Sequence, residues 1–139
     1  MGRSKSSLFL MELIIVITFF AFTSAICVQL FAAANRLSTR SVGMQMAVIN
    51  AQSAVETFKA TDGDMNSMRI LLGAYAAYGY LLVSYDENWR HTPEGGRFEM
   101  AIWTNMNTVP ATVIVTVRDT FLDEELYSLI ARRYLGVNP

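Results

Sequence analysis

Residues 8–34 read LFLMELIIVITFFAFTSAICVQLFAAA, an apolar run interrupted by one ionisable side chain, Glu12. As a helix rising 1.5 Å per residue, such a run is long enough to cross a hydrocarbon core of about 30 Å. The rest of the composition agrees, with 53% hydrophobic and only 17% charged residues, where an average soluble domain has roughly 25% charged. The net charge is −1 and the Lys and Arg residues are scattered, so the basic surface that nucleic-acid contact requires is missing. Cys27 is the one cysteine and lies inside the run. It has no intramolecular disulfide partner and reads as a small apolar filler.

Before the run stands MGRSKSS, a polar leader with Arg3 and Lys5 and no acid, the kind of flank that stays in the cytoplasm. Arg36 and Arg40 follow the run, so charge counting alone does not orient it. A cleaved secretory signal would have an uninterrupted apolar region and a small-x-small site. Thr23-Ser24-Ala25 offers such a site, but Glu12 interrupts the region and the run continues through Ile26, Val28, Leu30 and Phe31. A lipoprotein signal needs a small residue before the cysteine, and Ile26 stands there. An ordinary signal-anchor helix, with its glutamate reaching to the interface, remains open. So does removal of the leader after Ser7, which makes Glu12 the fifth residue of the mature chain. There the carboxylate lies near the positive end of the helix dipole. A lone acid at membrane depth costs a few kcal/mol unless paired and marks a functional contact; the natural partner is the α-amine of another subunit.

The stretch Ser6-Ser7-Leu8-Phe9-Leu10-Met11-Glu12-Leu13-Ile14-Ile15 resembles the prepilin cleavage and methylation signal of type IV pilins and pseudopilins. The resemblance covers the first quarter of the chain and implies a structural subunit of a pilus, secretion or competence filament. It implies cleavage between Ser7 and Leu8 by a prepilin-type peptidase, N-methylation of Leu8, and Glu12 as the assembly glutamate. Ser7 stands where the family has glycine. The partners so implied are the lipid bilayer, the peptidase, other pilin-like subunits and an assembly-platform membrane protein. The N-terminus would be cytoplasmic and the remainder extracytoplasmic. An unprocessed, single-pass, membrane-anchored binding module is the alternative.

No proline occurs before Pro93, so the helix is expected to leave the membrane intact and continue to about Lys59. Met44, Val48, Ala51, Val55 and Phe58 recur at spacings of four and three, one stripe of an amphipathic helix. Gln45, Asn50, Gln52, Glu56 and Lys59 fall on other faces, and Gly43 is a candidate bend. Asp62-Gly63 is a stop signal. A short helix capped by Asp64 or Asn66 is expected next, burying Met68, Leu71, Leu72 and Tyr75. The period then changes to two in Leu81, Val83 and Tyr85, in Phe98, Met100 and Ile102, and in Val113, Val115 and Val117, with a fourth strand over 126–134. Turns are expected at Glu94-Gly95-Gly96, Asn105 to Pro110 and Asp123-Glu124-Glu125. The fold class is therefore α+β: a leader (1–7), a transmembrane helix (8–34), its amphipathic continuation (35–60) and a small head (61–139) in which about four antiparallel strands cover the helix.

Catalysis needs converging nucleophile, base and orienting group, and the raw material is thin. His91 is the only histidine and reads as a solvated loop residue. Phosphate-loop, HExxH and paired-cysteine patterns are missing from the sequence, so no catalytic residue, cofactor or metal site is assigned. The groups Asp62/Asp64, Asp86/Glu87 and Asp123/Glu124/Glu125 match no calcium-loop spacing and read as turn residues, although the resemblance extends to calcium-binding secretion pseudopilins. Tyr75, Tyr78, Tyr80, Tyr85, Trp89 and Trp103 read as packing groups before an adhesive surface.

Overall fold

The computed structural model describes residues 3–134; Met1 and Gly2 of the leader, residues 135–139 of the head and the side chain of Arg3 lie outside the described residues. The chain divides into two compact units, Met1–Ser41 and Val42–Pro139. The helix α1, Arg3–Ala60, makes up the described part of the first unit and supplies the opening residues of the second. Helical backbone continues through Gly43. Along α1 the Thr23 hydroxyl donates to the Phe19 carbonyl at 2.9 Å and the Thr39 hydroxyl to that of Asn35 at 3.0 Å. Both hydroxyls are thereby bonded within the helix itself.

In the second unit α1 ends at the expected signal. Asp62 and Gly63 take φ of 50° and 80°, and the Gly63 N–H donates to the Phe58 carbonyl at 3.0 Å, closing the last turn. The short helix α2, Met65–Leu72, follows. Its cap is Asp64, whose carboxylate accepts from the Ser67 hydroxyl and from the Ser67 N–H at 2.9 Å; the hydroxyl's hydrogen bond first, and the N–H second, lower the Asp64 pKa. Gly73, at φ 61°, ends it. The helix therefore stops before Tyr75, and Leu71, expected to be buried, is 67% exposed; Met68 is buried and Leu72 half-buried.

The sheet has six strands where about four were expected: β1 Tyr75–Ala77, β2 Tyr80–Tyr85, β3 His91–Thr92, β4 Phe98–Asn105, β5 Ala111–Asp119 and β6 Glu124–Arg133. All pairings are antiparallel, in the order β1-β2-β4-β5-β6, with β3 also paired to β2. β2, β4, β5 and β6 are the four strands read from the sequence. The two additional strands are only three and two residues long, too short to display a period. They place β3 between β2 and the Glu94-Gly95-Gly96 turn, and Glu124 and Glu125 inside β6 rather than in the turn before it.

One face of the sheet and one face of α1 form the core. Leu81, Val83, Tyr85, Phe98, Met100, Ile102, Val113, Val115 and Val117 are buried as their alternation predicts, each aliphatic contributing about 1.5–3 kcal/mol. On α1 the buried residues are Ala47, Ala51, Ala54, Val55 and Phe58, whereas Met44 is 43% exposed and Val48 half-buried. The expected stripe was thus displaced at its N-terminal end. Alanines at 47, 51 and 54 let the helix axis approach the sheet closely, which a face centred on Met44 and Val48 would prevent.

Candidate functional site

Glu12 lies on the fully solvent-facing surface of α1 among side chains of the opposite character. Leu8, Phe9, Ile15 and Val16, its neighbours three and four positions away along the helix, are all exposed, as are Leu13 and Ile14. No described residue forms an ion pair with Glu12. α1 is long and apolar enough to cross a membrane, and no described residue buries its most apolar window. The arrangement is a helix with apolar side chains on all sides and one carboxylate that no described residue pairs with. Chemically it can accept a cation or two or three hydrogen-bond donors from outside.

Ser7 and Leu8 lie one turn before Glu12, inside α1 and not in an irregular leader. Helical structure reaches back to Arg3, because Ser4, Lys5, Ser6 and Ser7 contain no glycine or proline to stop it. Reaching the Ser7–Leu8 peptide bond requires that first turn to unwind. Few intrahelical bonds are lost in doing so, since the first four N–H groups of a helix have no partner within it.

The head carries its own polar constructions, most of them fixing turns. Asp119, only 2% exposed, accepts from Arg97 Nε and a terminal guanidinium nitrogen, each at 3.2 Å, and from the N–H groups of Phe121 at 2.9 Å and Leu122 at 3.2 Å. This knot shapes the β5–β6 turn, and the guanidinium also lies over the rings of Phe98 and Phe121. Beside it is a cleft of about 360 Å³ lined by Glu87, Gly95, Gly96, Arg97, Thr120 and Phe121. Two of its functional groups are already engaged: the Thr120 hydroxyl donates to the Arg97 carbonyl at 2.8 Å, and Arg97 holds Asp119. A nucleophile and base do not converge there.

The four aspartates among the acidic groups singled out in the sequence are spent on turns and ion pairs. Asp62 pairs with Arg133 at 2.9 Å, tying the end of α1 to β6. Asp64 caps α2. Asp86 accepts from the N–H groups of Asn88 and Arg90, each at 2.8 Å, and Asp123 pairs with Arg118. Among the described residues no group of three potential metal ligands comes together. His91 is not a loop residue as expected: it opens β3, and its Nε2 lies 2.8 Å from the Gly73 carbonyl, joining β3 to the end of α2.

Sequence reading missed the Asp119 knot, whose only signal was an acid placed by alternation on the core face of β5. It also missed the Ser84 and Thr92 hydroxyls, which face each other across β2 and β3 and are buried without a hydrogen-bond partner. The aromatic residues divide: Trp89 stacks on Phe98 at 4.0 Å and lies beside Tyr85, while Tyr80 and Trp103 form a second pair at 5.2 Å on the opposite face. Compared with known proteins, the chain matches no family model, no curated protein and no solved structure.

Proposed function

We propose that this chain is a pilin-like structural subunit, a minor pilin or pseudopilin of a type IV pilus, type II secretion or competence filament, and not an enzyme. It is held in the cell membrane by residues 8–34, with the N-terminus cytoplasmic and the head extracytoplasmic. A prepilin-type peptidase removes residues 1–7, Leu8 is methylated, and the apolar helix packs against those of other pilin-like subunits with the help of an assembly-platform membrane protein. The observation that carries this reading is Glu12, an acid unpaired among the described residues on a helix whose residues 8–34 are apolar all round. A neighbouring subunit's α-amine at Leu8 both neutralises it and sets the axial register between helices.

An unprocessed anchor with a binding head is the second reading. It is favoured by Ser7 in place of glycine and by the helical backbone at the Ser7–Leu8 bond. Mass spectrometry of the mature N-terminus separates the two: a chain beginning at methyl-Leu8 supports the subunit, and one retaining MGRSKSS supports the anchor. Glu12→Ala is expected to leave membrane insertion intact and to abolish co-assembly with partner subunits. Undiminished co-assembly would remove the basis of the proposal.

A further inference from the structure

We infer that the outer edge of β6 is a docking strand for a second copy of this chain. β5 pairs one edge of β6 along its length, and among the described residues no strand pairs the other. An open edge presents a row of unpaired N–H and C=O groups, which proteins guard by keeping the strand short or by placing charges and prolines along it. β6 has ten residues and no proline, and its charges stand only at its ends, in EELYSLIARR. Acids begin the strand and bases end it, so an antiparallel copy brings each acidic end against a basic one.

The register follows from the bulge in β6. Val117 faces Tyr127, but Arg118 faces Glu125, so Leu126 is passed over. Glu125 thereby joins Ser128, Ile130 and Arg132 on the outer face of the sheet. A pairing centred on Leu129 then meets on matching faces throughout. Leu129 opposes its counterpart, Ile130 opposes Ser128, Ala131 opposes Tyr127, and Arg132 opposes Glu125. Glu125 and Arg132 are both exposed. Arg133 already holds Asp62, so the charge argument rests on the Glu125 and Arg132 pairs, of which the twofold supplies two.

Apolar surface points the same way. Tyr127, Leu129 and Ala131 pack on the core yet remain half-buried, because the sheet stops at their strand, and a second β6 covers them. On the outer face, the Tyr80 and Trp103 rings are in contact, Trp103 opposes Ile114, and Ile114 opposes Ile130. That partly exposed row reaches the edge and continues into the partner. The twofold axis is normal to the sheet, so residues 42–60 run in opposite directions in the two copies. Unlike the packing of apolar helices proposed above, this contact sets residues 42–60 antiparallel; for any one pair of copies it is an alternative to that packing, and it stands without it.

The test uses the full chain in detergent micelles. Light scattering should show a monomer–dimer equilibrium that Arg132→Glu weakens roughly tenfold or more, as does Glu125→Arg, with the double exchange restoring it. In a Cys27→Ser background, mixing Glu125→Cys with Arg132→Cys chains should yield a disulfide-linked dimer that neither forms alone. A chain monomeric throughout, a dimer indifferent to either single exchange and so held by its apolar helix, or equal cross-linking of the unmixed variants would each overturn the inference. None of these results bears on the fate of Glu12.

Discussion

Tyr85 ends β2 with its ring against Trp89 at 5.9 Å and edge-on to His91 at 6.3 Å, and burial pushes its phenol up to about 12 from 10.0. Below pH 10 the phenol is neutral in both folded and unfolded chains, and the stability of its burial is fully present. As pH rises from about 10 to about 12 the unfolded chain gives up its proton while the folded chain keeps it, so ionisation favours unfolding. The loss is about 3 kcal/mol once the folded pKa is passed. Tyr85→Phe has no proton to lose, and every other tyrosine is common to both proteins. Urea midpoints of the two should therefore run parallel up to about pH 10 and diverge above it, with the wild type falling faster. Parallel curves throughout would mean that the phenol is not sheltered. Residues of this kind were legible only in part: the alternation of Leu81, Val83 and Tyr85 put the ring on the core face, but its contacts with Trp89 and His91 depend on the turn that folds them back beside β2, which alternation does not show.

At the scale of the element, the docking face of α1 is set by what is small. Ala51 is fully buried with Ala47 and Ala54, whereas Met44 is largely outside the core. Ala51→Leu forces extra atoms between helix and sheet and should cost about 1–3 kcal/mol, while Met44→Ala should lie within about 0.5 kcal/mol of wild type. Thermal or urea unfolding of the two variants decides the matter, and the reverse order would restore the stripe that hydrophobicity alone suggests. That stripe erred because alanine weighs little in a hydrophobic pattern yet is what a close helix–sheet contact selects. β1 and β3 escaped sequence reading for a related reason, since a two- or three-residue strand exists only through its pairing to β2. β6 alternated poorly because the bulge at Leu126 reverses its phase. The setting of Glu12, by contrast, was legible locally, as the exposed apolar side chains around it are its own helical neighbours on α1.

For the molecule as a whole, the division after Ser41 carries a consequence for folding. Every core residue lies at position 47 or beyond, and the buried ion pair, the caps of α2 and the sheet all fall in Val42–Pro139. The apolar side chains of α1 before Val42 are exposed and suited to lipid or to other helices. A chain beginning at Val42 should therefore fold without detergent, unfold in one cooperative step, and give a near-ultraviolet circular dichroism spectrum matching that of the full chain in micelles, since Trp89 and Trp103 keep their neighbours. The hydrophobic face of residues 42–60 is covered by the sheet, so its helix need not rely on the segment before it for stability. The sensitive point is the new N-terminus, where Met44 and Gln45 precede the first core contact at Ala47 and will fray. Fraying confined there leaves the melting temperature within a few degrees of the full chain, whereas a fragment lacking a cooperative transition would show that the apolar segment is needed to nucleate the helix on which the sheet assembles.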